Sequence, residues 1–113
     1  MSVIIYHNPK CSKSRAALAL LRERGVEPQV MEYLKEPPSV GELKNILSML
    51  RARPRELLRT REAREAGLDD PSLTDDAIIA GMVANPITIE RPIVVVGDQA
   101  RLGRPPEQVL ELF

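Results

Sequence analysis

The sequence predicts an α/β fold: a four-stranded mixed sheet flanked by helices, with a helical insertion between a βαβ half and a ββα half. Three features predict it. Val3–Tyr6 and Ile93–Val96 are strand-length runs rich in β-branched residues. Segments with apolar residues at helical spacing lie between and after them. Ten prolines mark where elements end.

The elements follow in order. The first strand, Val3–Tyr6, stops at Asn8-Pro9. A helix comes next, with Ala17, Leu18, Leu20 and Leu21 on one face and Gly25 where a C-terminal stop belongs. Residues 30–34 read as a second strand, ended by Glu36-Pro37-Pro38. One βαβ length separates the two strands, so they are expected to be parallel with a right-handed crossover.

Ser39-Val40-Gly41-Glu42 is a capping-box pattern, and Leu43, Ile46, Leu47 and Leu50 form the stripe of the helix behind it. Pro54 is expected to open a short helix over residues 54–59. Thr74, ahead of Asp75 and Asp76, caps a helix that repeats Ile78, Ile79, Met82 and Val83 and stops at Asn85-Pro86. Ile93–Val96 then pairs through a Gly97-Asp98 turn with a fourth strand at residues 100–103. Pro105-Pro106 opens a last helix carrying Val109, Leu110, Leu112 and Phe113. This order is the thioredoxin-like arrangement with helices inserted in its middle. A ferredoxin-like plan needs an early second hairpin, and no segment supplies one.

Bulk properties narrow the function classes. A chain of 113 residues with no repeat or linker reads as a single domain spanning 1–113. Sixteen basic residues balance sixteen acidic ones, and aromatic residues are 3%, which disfavours nucleic-acid binding by phosphate neutralisation or base stacking. No basic start leads into a long apolar stretch, and the apolar runs are too short to span a bilayer. A cytoplasmic monomer, away from membranes, is expected.

Cys11 is the single cysteine. A lone cysteine is often just a small buried hydrophobe. Its position points the other way. It follows the first strand and directly precedes the first helical turn, where backbone N–H groups have no intrahelical partners and the helix dipole is positive. A thiolate is stabilised in such a place, with Lys13, Arg15 and His7 able to add positive charge. The same N–H groups, with the hydroxyls of Ser12 and Ser14, suit an oxyanion.

Spacing excludes other thiol chemistries. Cys11-Ser12-Lys13-Ser14 is C-x-x-S, so the second thiol of a C-x-x-C oxidoreductase is missing. Cys11 to Arg15 is too short for the C-x-x-x-x-x-R phosphate loop of tyrosine phosphatases. One cysteine and one histidine leave no closed zinc site, and no metal is expected. A Cys-His protease lacks a third group to orient His7. Two-electron reduction by thiols needs two sulfurs, so the second must come from outside. Glutathione is the natural donor, with a glutaredoxin to clear the mixed disulfide.

The segment Tyr6-His7-Asn8-Pro9-Lys10-Cys11-Ser12-Lys13-Ser14-Arg15 resembles the active-site signature of the glutaredoxin-linked arsenate reductases, the ArsC family. Glu56-Leu57-Leu58-Arg59, Glu90-Arg91-Pro92-Ile93-Val94-Val95 and Gly103-Arg104-Pro105-Pro106 resemble three further elements of that family, and Tyr33-Leu34-Lys35-Glu36-Pro37-Pro38 and Asn85-Pro86-Ile87 also fit. The resemblance covers nearly the whole chain and implies a thioredoxin-like arsenate reductase. It implies that Cys11 is the nucleophile, that Arg59, Arg91 and Arg104 bind the oxyanion, that His7 poises the thiol and that Ser14 stabilises the thiolate. Ser12 and Lys13 fall in the substrate-binding turn. It implies a cis bond before Pro92, arsenate as substrate, glutathione as co-substrate with no tightly bound cofactor, and glutaredoxin as partner. Residues 49–53 depart from the family's Gly-Ile-Ser-like turn ahead of Arg59.

Without the resemblance, most of these arginines read as solvated charge, and Arg59 does not stand out from Arg55, Arg61 and Arg64. Two other classes fit the outline. Thioredoxin-like regulators that bind RNA polymerase typically use a C-x-x-C switch, which is absent here. A related glutathione-dependent thiol reductase acting on another substrate would use the same thiol and arginines.

Overall fold

The structure, a computed structural model, describes residues 2–113. The described chain divides into two compact units, one of the residues up to 36 with 91–113 and one of residues 37–90.

The first unit is built on a four-stranded sheet of order β2-β1-β3-β4, comprising β1 (Val3–Tyr6), β2 (Gln29–Met31), β3 (Ile93–Val96) and β4 (Gln99–Leu102). β1 runs parallel to β2 and antiparallel to β3, and β3 is antiparallel to β4. The mixed, helix-flanked sheet expected from the sequence is the observed one. All four β3 residues are buried, as befits a β-branched central strand. Helix α1 (Ser12–Glu23) and a closing 3₁₀ turn (Pro106–Leu112) pack on each other. The shared core joins Ile5, Val94 and Val96 of the sheet to Ala17, Leu18 and Leu21 of α1 and Val109. The alternation of Ile5, Val94 and Val96 along their strands puts them on one sheet face, and the helical spacing of the α1 residues aims them at it.

Register decides where the loops meet. Tyr6 pairs with Met31 and with Ile93, and Ile93 pairs with Leu102. The chain leaving β1, the chain leaving β2, the chain entering β3 and the chain leaving β4 therefore share one end of the sheet. Residues 7–11, 91–92 and 103–104 are all at that end.

The second unit is helical: α2 (Val40–Leu50), a 3₁₀ turn (Pro54–Leu57), α3 (Thr60–Glu65), α4 (Asp75–Ala84) and a 3₁₀ turn (Pro86–Thr88). Ser39 forms the full capping box with Glu42, and Thr74 Oγ1 accepts from the Ala77 N–H. α2 packs on α4 through buried residues that include Leu43, Ile46, Leu47, Ile78, Ile79 and Met82.

Several element ends, and the type of the last helix, differ from the sequence reading. β2 ends at Met31 because the chain turns at Glu32, whose carbonyl accepts from the N–H groups of Lys35 and Glu36. β4 starts at Gln99 because the two-residue Gly97-Asp98 turn, with Gly97 at φ 62°, pairs Val96 directly with Gln99. The helix opened by Pro54 ends at Leu57, since Leu58 is extended and bridges Ile89. Arg59 thus caps α3 rather than closing the preceding turn. The C-terminal helix is 3₁₀ rather than α.

Candidate active site

Cys11 is the N-cap residue of α1, with extended dihedrals (φ −95°, ψ 123°), and is half-buried. Its own N–H donates to the Asn8 carbonyl at 3.0 Å, and its carbonyl accepts from the Arg15 N–H at 3.0 Å. The loop is held in shape by Asn8. The Asn8 Oδ1 accepts from the Lys10 N–H at 3.0 Å, an Asx turn, and the buried Asn8 N–H donates to Ser14 Oγ at 3.1 Å. Arg15 closes the outside of the loop by donating from Nη1 to the Pro9 carbonyl at 2.9 Å. No acidic residue occupies the first turn of α1, so its positive end is uncompensated.

His7 and Ser14 are both buried, and His7 Nδ1 lies 2.5 Å from Ser14 Oγ. The backbone N–H of His7 donates to the Met31 carbonyl at 2.8 Å, which ties the loop to β2. Burial lowers the imidazole's proton affinity. Glu32 raises it, and the nearby guanidinium groups of Arg22 and Arg15 lower it again; the net direction is below the ordinary value of 6.5. A neutral ring exchanges one hydrogen bond with Ser14 while Ser14 accepts from Asn8. A groove of about 630 Å³ runs along α1 past His7, Pro9, Arg15, Leu18 and Arg22. Cys11 is not one of its walls, and the groove meets the Cys11 loop at His7, Pro9 and Arg15.

The other side of the same sheet end carries the arginines. The Arg91–Pro92 bond is cis, and so is Arg104–Pro105, which the sequence reading did not include. Arg91 is buried at 6% exposure and Arg104 is half-buried. Arg104 Nη1 donates to the Arg91 carbonyl at 3.2 Å, and the Gly103 N–H donates to the Pro92 carbonyl at 2.8 Å. These two bonds lock the two Arg-Pro segments together. Gly103 is required by closeness: a Cβ there would sit 2.7 Å from Pro92 Cγ and 3.2 Å from Val109 Cγ1.

The structure therefore brings Cys11, His7, Ser12, Lys13, Ser14, Arg91, Pro92 and Arg104 to one end of the sheet unit. Ser12 and Lys13 are exposed on the first turn of α1. Arg59 belongs to the helical unit. Its N–H donates to the Thr88 carbonyl at 2.8 Å, and its Nε lies 3.6 Å from Glu62 and 3.7 Å from Glu90. Asn8 and Gly103 are the residues the sequence reading missed. The Asn-Pro dipeptide was a signal for the first. Nothing local flags the second, because its neighbour Pro92 comes from another strand end. Among the described residues no three His, Cys, Asp or Glu side chains cluster as metal ligands, and no helix is long and apolar enough to cross a membrane.

Comparison with known proteins bears on this arrangement. The sequence matches the ArsC family over residues 6–112. The chain belongs to the ArsC family. It is 52% identical over 113 residues to an uncharacterised protein of Escherichia coli K12, YfgD, covering 97% of this chain and 95% of that one. It is 45% identical over 108 residues to a Neisseria meningitidis protein named arsenate reductase, covering 93% and 92% of the two chains. Among solved structures, an arsenate reductase from Vibrio cholerae superposes with a TM-score of 0.95 at 53% identity, covering 100% of this chain and 98% of that one. The fold is shared with these ArsC relatives, which have the same thioredoxin-like arrangement.

Proposed function

We propose that this ArsC-family protein reduces arsenate to arsenite through Cys11, with glutathione and glutaredoxin supplying the external thiols. The observation that carries the reading is the placement of Cys11 on the N-cap of α1 at the sheet end where Arg91 and Arg104 arrive. The names borne by relatives such as the Neisseria and Vibrio proteins support the choice of substrate.

The Cys11 thiolate attacks arsenic, forming an S–As bond, and one arsenate oxygen leaves as water after protonation. Arg91 and Arg104 neutralise the remaining oxygens through charge-assisted hydrogen bonds. A glutathione thiolate then adds to the As(V) adduct, and a second oxygen leaves as water. The glutaredoxin thiolate next removes the glutathione sulfur as a mixed disulfide. The electron pair of that As–S bond stays on arsenic, which becomes As(III). Hydrolysis of the remaining S–As bond releases arsenite and regenerates Cys11. His7, neutral at neutral pH, and Ser14 hold the loop and hydrogen-bond around the thiolate. Phosphate fits the same clamp but is not reduced by thiols, so it acts as a weak competitive inhibitor.

The test is arsenite production from purified protein, glutathione, glutaredoxin and arsenate, with Cys11→Ser as the control. Turnover is expected with the wild-type chain and none with Cys11→Ser. Undiminished turnover by Cys11→Ser would end this mechanism. A second reading, a glutathione-dependent thiol reductase with another substrate, rests on the same placement, because a thiol on a helix N-cap beside arginines also suits other glutathione-linked substrates. Glutathione-dependent disulfide reduction without arsenite formation is its signature.

A further inference from the structure

The stretch of chain on either side of Cys11 carries charge of one sign, which the chain's neutral total conceals. Residues 1–22 contain no Asp or Glu, although acidic residues number sixteen over the whole chain. The same stretch holds Lys10, Lys13, Arg15 and Arg22. In the sheet unit, Arg22, Lys35 and Arg101 each have a carboxylate partner. Arg15 is tied to the Pro9 carbonyl. Lys10 and Lys13 have no ion pair among the described residues, and both are exposed on either side of Cys11 in the chain. Glu32, the acid that influences His7, is itself engaged by Lys35 at 3.7 Å.

Two free ammonium groups on flexible stems flanking a nucleophilic sulfur are poorly suited to fixing a small oxyanion in one geometry. Lysine is a mobile, hydrated point charge, whereas arginine forks grip oxyanions. Such a rim attracts whatever anion approaches the sulfur from solvent. We propose that Lys10 and Lys13 form a recruitment rim for the carboxylates of the anionic thiol co-substrate, glutathione, distinct from the arginine clamp that holds arsenate. This rests on the reading of Cys11 as a glutathione-linked thiol, but not on arsenate being the substrate.

The experiment uses the full chain and no arsenic. Cys11 is first converted to its pyridyl disulfide with neutral 4,4′-dithiodipyridine. Glutathione thiolate then attacks the Cys11 sulfur, forming the Cys11–glutathione disulfide and expelling 4-thiopyridone, whose absorbance gives the rate. The same reaction is run with glutathione diethyl ester, which lacks the two carboxylates. The quantity read is the ratio of the two second-order rates, so a change in Cys11 reactivity common to both thiols cancels. Lys10→Gln combined with Lys13→Gln is expected to lower that ratio about threefold at 0.1 M salt, and more at lower salt. In the wild type the ratio should also fall as salt rises. A ratio that is the same in the double variant and the wild type overturns the proposal. Absence of arsenite production with the ratio still falling would remove the arsenate reading and leave this one standing.

Discussion

His7 Nδ1 and Ser14 Oγ meet at 2.5 Å across a loop whose tip is Cys11, and both residues are buried. The contact joins the end of β1 to the first turn of α1, so it fixes the direction in which the thiol leaves the sheet. Ser14 Oγ also accepts from the Asn8 N–H. Ser14→Ala removes a partner from two buried polar groups at once. A buried group left unsatisfied costs about 1–3 kcal/mol, so the variant should lose about that much stability. Urea unfolding measures it, and a midpoint equal to that of the wild type would show that water replaces the hydroxyl at no cost. Ser14→Thr, which keeps the hydroxyl, should recover part of the loss unless its methyl clashes.

The same residue pair gives a pH dependence. Burial depresses the His7 proton affinity in the folded chain below the ordinary value of 6.5. Between the folded and unfolded values the unfolded chain binds more protons, so stability rises with pH there. The contribution is fully present above about 6.5 and is lost as pH falls through the depressed folded value. Denaturant midpoints measured from pH 7.5 down to 5 should fall for the wild type more steeply than for His7→Gln, which cannot titrate. Parallel curves for the two chains would mean that His7 stays accessible to protons without penalty.

The sheet was readable because its central strands need no context: Ile93–Val96 and Val3–Tyr6 are β-branched runs of strand length, and Ser39 and Thr74 announce their helices through caps that act within three residues. Elements defined by tertiary contact were not readable. α3 has the sequence Thr-Arg-Glu-Ala-Arg-Glu, and Ala63 is its buried residue, so no apolar stripe marks it. The end of β2 is set by hydrogen bonds to the Glu32 carbonyl, not by a change in residue type, since Tyr33 and Leu34 continue the apolar run. At the site, local chemistry marked Cys11 from its place ahead of a helix. Arg59 needed resemblance to separate it from Arg61. The structure separates them physically: the Arg59 side chain is 27% exposed between Glu62 and Glu90, whereas that of Arg61 is 85% exposed.

Arg91 and Arg104 test the clamp. Both are half-buried or buried at the Cys11 end of the sheet, and Arg104 also holds the Arg91 carbonyl. Lysine keeps the charge and loses the planar fork. Hydrogen bonds to charged groups are worth about 1.5–3 kcal/mol, so Arg91→Lys and Arg104→Lys should each lower kcat/KM for arsenate about ten- to a hundredfold. Cys11 alkylation by neutral iodoacetamide should change far less, because that reaction needs no oxyanion clamp. Equal losses in both reactions would assign these arginines to shaping the loop and not to holding arsenate.

Gly103→Ala probes the packing that holds the two Arg-Pro segments together. The added Cβ would lie 2.7 Å from Pro92 Cγ and 3.2 Å from Val109 Cγ1. Neither neighbour yields easily: one is a ring fixed in the backbone, the other a fully buried core side chain. Overpacking of this kind costs about 1–3 kcal/mol. Relief requires the chain after β4 to move off Pro92, which stretches the 2.8 Å bond from the Gly103 N–H to the Pro92 carbonyl and carries Arg104 with it. The substitution should therefore lower the unfolding midpoint and weaken arsenate binding together, although residue 103 bears no functional group. Val109→Ala removes one of the two clashing partners. Adding it to Gly103→Ala should destabilise by less than the sum of the single changes, and strict additivity in a double-mutant cycle would show that Val109 takes no part in the clash.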